Sequence, residues 1–174
     1  MERFACFDTA LGRCALVWGQ HGITGVELPG SDDAATRRRI RRAHPGAEES
    51  APTPAVAEAV DRITRLFDGE PDDLVGIALD TAEVPEFNRR VYAATRTVPP
   101  GETTSYGEVA ARIGEPGAAQ AVGRALGQNP FPIVVPCHRV VAADGRLTGF
   151  SAPGGIDTKR RMLEIEGATA PALF

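Results

Sequence analysis

The sequence predicts an α+β fold, with strands near the start of the chain and helices in most of the rest. Residues 3–28 alternate apolar and polar side chains between Gly and Asp turns, which is typical of short strands. After residue 85, apolar side chains recur at helical spacing instead. At 174 residues the chain can hold one large domain or two small ones. We place a boundary near Val84, giving domains 1–84 and 85–174.

The first half contains three strands in a meander over 3–28, with turns at 8–12 and 19–22. A Ser-Asp-Asp cap then begins a helix that ends at His44 before Pro45 and Gly46. A second helix follows over 53–70, where one apolar stripe comprises Val56, Val60, Ile63 and Phe67. The stretch "DDLVGIALDT" over 72–81 predicts another strand.

The second half begins with a helix over 87–98, ended by the Pro-Pro-Gly sequence that follows it. Two short helices come next, joined by the Gly-containing turn "EPG". Their apolar faces are Tyr106, Val109, Ala110 and Ile113 in the first, and Ala118, Ala121, Val122, Ala125 and Leu126 in the second. This pair is a helix-turn-helix candidate, although an ordinary helical hairpin fits these features equally well.

The outer face of the second short helix is made mostly of small residues. It comprises Ala119, Gln120, Gly123, Arg124 and Gly127. A helix that reads the major groove normally projects several long polar side chains toward the bases. Small residues let the backbone approach closely, which suits a narrow groove and contacts to phosphate and sugar.

The charge distribution argues against a protein that coats nucleic acid. The net charge is −4, and residues 1–84 carry 9 Arg against 15 Asp and Glu. Residues 85–174 carry 10 Lys and Arg against 8 Asp and Glu, so a polyanion would favour the second half. The arginine run Arg37–Arg42 is interpreted as a solvated helix face.

The chain is expected to be a cytoplasmic protein. It contains no apolar run near the roughly 20 residues that a membrane helix needs, and its N-terminal segment lacks the layout of a signal peptide. Three cysteines without framework spacing predict reduced thiols. A zinc site could be assembled from Cys6, Cys14, His21 and His44, but their spacing matches no compact ligand pattern.

Cys137 lies in the stretch "NPFPIVVPCHRVVAADG", directly after Pro136 and before His138 and Arg139. A cysteine attacks as the thiolate, which needs a nearby base or positive charge, and both kinds of group follow it here. A buried structural cysteine is the alternative interpretation.

The final helix places Glu166 on the same face as Met162 and Leu163. A carboxylate turned toward the core needs a hydrogen-bonded partner, and His138 is a suitable one. Cys137, His138 and Glu166 would then be nucleophile, base and orienting acid. Arg139 and Arg160 are alternative partners for Glu166.

The combination of "SYGEVA", "QNP", "PCHRV" and "IEG" between Phe87 and Gly167 resembles the core of the O6-alkylguanine-DNA alkyltransferases, also called methylated-DNA–protein-cysteine methyltransferases. The resemblance implies an RNase H-like N-terminal domain and a winged-helix-like C-terminal domain. It also implies that alkylated double-stranded DNA is bound through the minor groove and that the damaged base is flipped out before reaction. No cofactor and no metal are expected.

The resemblance also implies roles for particular residues. Cys137 would accept the alkyl group irreversibly from O6-alkylguanine, with O4-alkylthymine as a further candidate, so each molecule reacts once. His138 would deprotonate the thiol through a water, Glu166 would orient His138, and Asn129 would shape the hydrogen-bond network. Tyr106 would act at the phosphate and the flipped base. Val140 and Ser151 would face the guanine edge.

Two positions depart from the family's pattern. Gln120 stands where the family usually has the arginine that fills the gap left by the flipped base, and Arg124 lies one turn later. Phe150 stands where a tyrosine is typical, and the loop "GFSAPGG" is one residue longer than usual.

A lesion-binding module with little transfer activity is one alternative function. An alkyl acceptor that acts on a small reactive metabolite is another. We expect a monomer in solution, and whether several molecules assemble along DNA is left open.

Overall fold

The computed structural model describes residues 1–148 and 153–168, and it begins with the predicted meander. The first sheet contains four strands, β1 (Arg3–Thr9), β2 (Gly12–Gly19), β3 (Gly22–Glu27) and β4 (Glu48–Glu49). They lie in the order β3-β2-β1-β4, with β1–β2 and β2–β3 antiparallel and the short, unpredicted β4 parallel to β1. The β1–β2 turn is held by the Thr9 hydroxyl, which accepts hydrogen bonds from the amides of Leu11 and Gly12.

Two helices cover the opposite faces of this sheet. Helix α1 (Asp33–Ala43) begins at Asp32, whose carboxylate accepts from the Ala35 amide at 2.7 Å, and α2 (Pro54–Phe67) is capped by Thr53. Ile40 of α1 packs with Phe4, Ala15 and Val17 on one face of the sheet. The apolar side of α2 packs on the other face, where Leu16 and Trp18 point. Because successive side chains of β2 point to opposite faces of the sheet, β2 contributes apolar residues to the packing of both helices.

The prediction of a strand over 72–81 is wrong. Only Leu79 forms an isolated bridge, to Ile23, and the preceding residues turn sharply, with Leu74 at φ 57° and Gly76 at φ 90°. Asp72 explains the turn because its carboxylate accepts from the Leu74 amide and also pairs with Arg62. An Asp that bonds the backbone two residues ahead competes with strand pairing.

The second half is mainly helical, as predicted. Its helices are α3 (Glu86–Thr95), α4 (Tyr106–Arg112), α5 (Ala119–Gly127) and α6 (Gly155–Ile165). Two short parallel strands accompany them, β5 (Thr104–Ser105) and β6 (Val140–Val141). Ser105 caps α4 by accepting from the Glu108 amide, and the Tyr92 hydroxyl of α3 donates to the Ala125 carbonyl of α5 at 2.7 Å. The α4–α5 pair is thus anchored on α3.

One apolar core joins the two halves. Leu16 and Trp18 of the sheet belong to the same buried cluster as Val122 of α5 and Phe131. The Val26 amide donates to the Pro130 carbonyl at 2.9 Å, which connects the edge of the sheet to the segment before Cys137. Within the described residues, no helix has the length and apolar character needed to cross a membrane.

Some arginines of the run on α1 form ion pairs with carboxylates. Arg37 binds Asp33 and Glu49, and Arg39 binds Glu27. Arg38, Arg41 and Arg42 are exposed. This arrangement matches the predicted solvated face.

Candidate active site

The segment that carries Cys137 is a tight loop held by Asn129. The Asn129 side chain accepts from the Phe131 amide at 2.9 Å and donates to the Val135 carbonyl at 3.0 Å, so it ties both ends of the loop together. Ile133 within this loop is buried and has φ 78°, a conformation that costs a β-branched residue free energy. Cys137 then begins a single 3₁₀ turn that ends at Arg139.

The surroundings of the Cys137 thiol have opposing effects on its pKa. Burial raises its pKa, whereas a hydrogen bond from Asn129 and the positive charge of Lys159 act in the opposite direction. Because burial dominates, the thiol is mostly protonated at neutral pH. A base is therefore needed to generate the nucleophilic form.

His138 is fully buried. One of its ring nitrogens is hydrogen-bonded, and the other has no partner among the described residues. Its Nε2 lies 2.9 Å from Glu166 Oε2, which is the hydrogen bond expected from the sequence. Its Nδ1 is buried without a protein partner among the described residues. Burial lowers the pKa of His138 against the opposing pull of Glu166, which keeps the ring neutral. With Nε2–H donating to the carboxylate, Nδ1 carries the lone pair that can accept a proton.

Glu166 is bound by two of its three candidate partners, His138 and Arg139, whereas Arg160 pairs with Asp157 on the surface. Arg139 donates from Nε to Oε1 at 2.9 Å and from Nη2 to Oε2 at 2.7 Å, and from Nη1 to the Val98 carbonyl. Burial alone would raise the pKa of Glu166, but His138 and Arg139 together lower it to about 2. The carboxylate is therefore ionised at every physiological pH.

Lys159 is a site residue that the sequence reasoning missed. Its Nζ is buried and donates to the carbonyls of Val140 at 2.7 Å and Thr148 at 3.0 Å. Burial lowers its pKa to about 8. The helical spacing could have revealed it, because position 159 shares a face of α6 with Met162, Leu163 and Glu166.

A shallow cleft on the surface beside the active site gathers most of the predicted DNA-binding residues. It is lined by Tyr106, Ala119, Gln120, Gly123, Arg124 and Thr148. Gln120 and Arg124 are exposed, and the ring of Tyr106 packs against Gly123. The Tyr106 hydroxyl donates to the Thr148 carbonyl at 3.2 Å, so Tyr106 and Lys159 hold the same peptide group.

Of the residues predicted to face the guanine edge, Val140 is the one that the structure describes. The Val140 side chain is buried in the core, and its carbonyl is occupied by Lys159. Phe150 and Ser151 lie outside the described residues.

A cavity of about 210 Å³ lies next to Cys137 and Asn129. Tyr106 and Pro153 line it near the surface cleft, and Pro132 forms part of its wall. Drug-sized ligands usually occupy cavities of about 300–1,000 Å³, so this volume suits a smaller group.

The four residues considered for zinc do not come together. Cys6 packs with Phe4 on one face of the sheet, whereas Cys14 is buried in the cluster on the other face. His44 bonds to Glu2. Among residues 1–148 and 153–168 no group of three or more His, Cys, Asp or Glu side chains is arranged to hold a metal ion.

Comparison with known proteins connects this site to one family. The family model "6-O-methylguanine DNA methyltransferase, DNA binding domain" matches residues 86–168. A curated Mycobacterium bovis protein, "Methylated-DNA--protein-cysteine methyltransferase", is 50% identical over 118 residues, covering 68% of this chain and 69% of the relative. The chain belongs to the methylated-DNA–protein-cysteine methyltransferase family.

Solved structures of this methyltransferase family match nearly the whole chain. The crystal structure of Mycobacterium tuberculosis O6-methylguanine methyltransferase has a TM-score of 0.77 and 36% identity, covering 99% of this chain and 96% of that one. A second M. tuberculosis structure, of OGT in complex with DNA, has a TM-score of 0.76 and 37% identity, covering 98% and 96%. The mixed α+β architecture seen here is therefore that of the methyltransferase family.

Proposed function

We propose that this chain repairs alkylated DNA by moving an alkyl group from O6 of guanine to Sγ of Cys137, once per molecule. The observation that carries the proposal is the open Nδ1 of buried His138, directly after a cysteine that lines a cavity of nucleobase size. Glu166 fixes the other nitrogen of the ring, so the base is already in its working tautomer.

The reaction begins with loss of the thiol proton. Because Cys137 and His138 are neighbours in the chain, their side chains diverge, and the proton reaches His138 Nδ1 through one bridging water. The imidazolium that forms is stabilised by the Glu166 carboxylate, which stays ionised because Arg139 also binds it. The thiolate is stabilised by the Asn129 amide and the Lys159 charge.

The transfer itself is a displacement at the alkyl carbon. An S–C bond forms as the C–O6 bond breaks, and the electron pair of that bond leaves with guanine. Guanine then recovers a proton, so the thiol proton is finally carried by the repaired base. The thioether product has no acidic leaving group that a protein base could release, so the protein is consumed.

DNA is proposed to bind at the surface cleft that includes Gln120 and Arg124. The small residues Ala119 and Gly123 let α5 approach the backbone in the minor groove, and Arg124 supplies a charge for phosphate. The alkyl carbon is inaccessible inside a stacked duplex, so the base must be flipped toward Cys137. We assign Tyr106, between the cleft and the cavity, to guide the base, and Gln120 to fill the gap.

The finer description of the architecture is also proposed. Residues 1–84 would form an RNase H-like domain and residues 85–174 a winged-helix-like domain, supported by the separate sheet and by the α4–α5 pair with its two-stranded addition. We infer that the protein is a monomer. We also infer that it works in the cytoplasm, because a reactive thiol requires a reducing compartment.

The function is tested by intact mass measurement. The wild type and Cys137→Ser are each incubated with a duplex that contains one O6-methylguanine, and with the same duplex containing guanine. We expect a gain of one methyl group only for the wild type with the lesion. Saturable binding of the lesion without any mass gain would instead indicate a lesion-binding module.

A further inference from the structure

The cavity at Cys137 extends beyond the second half of the chain. It is lined by Cys137 and Asn129, and also by Glu27 of β3, Arg39 of α1 and His44, the residue after α1. Residues of the first half therefore form part of the space around the reacting sulfur. A group attached to the transferred carbon would enter the same space.

The position of Glu27 in this wall is fixed by the backbone. The neighbouring Val26 amide donates to the Pro130 carbonyl at 2.9 Å, and Pro130 directly follows Asn129. Glu27 pairs with Ala15 in the sheet, and only 12% of its side chain is exposed. The carboxylate is thus held beside the loop that carries the cysteine.

Arg39 adds a positive charge to the same wall, and its ion pair with Glu27 leaves some of its N–H donors unused. Its Nε donates to Glu27 Oε1 at 2.8 Å, and 44% of its side chain is exposed. Among the described residues this guanidinium makes one hydrogen bond, from Nε to Glu27. Its two terminal nitrogens therefore remain able to bind an acceptor. A guanidinium presents such donors in a planar fork that matches a carboxylate.

Part of the remaining wall is apolar and suits a short carbon chain. Val26 of β3, Leu28 directly after β3, and the rings of Pro130 and Pro132 also line the cavity. Apolar walls favour methylene groups, whereas a charged end group needs a partner of opposite charge once water is removed.

We propose that Arg39 and Glu27 form a specificity subsite for the far end of the alkyl group, and that Arg39 selects adducts ending in a carboxylate. This inference rests on the function proposed above. Cys137 attacks the methylene carbon, the S–C bond forms as the C–O6 bond breaks, and the electron pair leaves with guanine. The carboxylate itself does not react. Glu27 orients the guanidinium and limits how strongly it attracts the tail.

The experiment compares transfer rates for three duplexes that carry O6-methylguanine, O6-carboxymethylguanine or O6-carbamoylmethylguanine. The last two differ in charge but hardly in shape. In Arg39→Gln we expect the carboxymethyl-to-carbamoylmethyl rate ratio to fall about fivefold, the effect of losing a partly exposed ion pair. In Glu27→Gln we expect the same ratio to rise, because the competing carboxylate is gone. Arg38→Gln, on the exposed side of α1, is the matched control and should leave the ratio unchanged.

Other outcomes overturn the inference. An unchanged ratio in both Arg39→Gln and Glu27→Gln would mean that the subsite does not contact the tail. An equal loss with all three duplexes would assign Arg39 to a DNA phosphate instead. Failure of the wild type to methylate Cys137 would contradict the proposed function, whereas normal methyl transfer with an unchanged ratio contradicts the subsite alone.

Discussion

Glu166 is the residue on which the geometry of the site depends most. Its carboxylate binds both His138 and Arg139, and all three side chains are buried. In Glu166→Gln, Arg139 would lose its counter-ion, which we expect to lower the free energy of unfolding by about 3–5 kcal/mol. The alkyl-transfer rate should fall roughly 100-fold, since the base is no longer oriented by a charge. Urea denaturation and single-turnover kinetics measure the two effects.

Glu164→Gln is the control for that variant, because Glu164 lies on the exposed side of the same helix. It should change neither quantity. A Glu166→Gln protein with the wild-type rate would contradict the orienting role of the Glu166 charge.

The same residues predict acid sensitivity. The pKa of Glu166 is about 2 in the folded protein against an ordinary 4.5, so its contribution to stability is complete above pH 4.5 and is lost as pH falls toward 2. The pKa of His138 is below its ordinary 6.5, so the unfolded state takes up a proton first as pH falls below 6.5. We expect the free energy of unfolding to decrease continuously below pH 6.5 in urea titrations. A constant value down to pH 4 would contradict these shifts.

Lys159 provides a separate test of the thiol environment. In Lys159→Met the positive charge that favours the Cys137 thiolate is removed, so the pKa of Cys137 should rise further. The pH dependence of Cys137 alkylation by iodoacetamide, read by peptide mass, would then shift to higher pH. Arg160→Met, which removes a neighbouring charge paired with Asp157, should leave this profile in place.

The sequence identified some of these residues better than others. Cys137, His138 and Asn129 lie within one short motif, and Glu166 was expected to face the core because of its helical spacing. Lys159 was missed because a lysine is normally exposed, and the carbonyls that help to make its burial tolerable belong to Val140 and Thr148, 19 and 11 residues away in the chain.

At the scale of elements, α5 combines a small face with one exposed glutamine. Gln120 has neither the charge nor the planar fork of an arginine. We expect Gln120→Arg to raise the transfer rate on a duplex lesion while leaving the rate on free O6-methylguanine unchanged. Equal effects on both substrates would show that position 120 does not take part in base flipping.

Periodicity predicted the helices because their apolar faces are regular, as Val122, Ala125 and Leu126 of α5 illustrate. The strand prediction failed over 72–81, where the Leu74 amide donates to the Asp72 carboxylate and the chain turns, although the composition favours a strand. The two-residue strand β4 is set by its pairing with β1, which no local pattern contains.

At the scale of the whole molecule, the two halves share one core and should unfold together. Trp18, the single tryptophan of the chain, lies in the buried cluster that also contains Val122 and Phe131. Trp18 fluorescence and exposure of the Cys137 thiol should therefore report the same urea midpoint. Two separate midpoints would show that the halves are energetically independent.

The way the halves meet could not be predicted from the sequence. Arg161 of α6 donates to the carbonyls of Ala10 and Leu11 in the β1–β2 turn, a contact across about 150 residues. Such contacts depend on the finished fold and have no local signature.

The proposed single transfer to Cys137 is tested by locating and counting the transferred group. The wild type is mixed with an excess of duplex containing O6-methylguanine, and its peptides are mapped by mass. We expect one methyl group per chain, on the Cys137 peptide alone, with an equal amount of lesion converted to guanine. A methyl group on another residue, or conversion of more lesion than there is protein, would contradict this expectation.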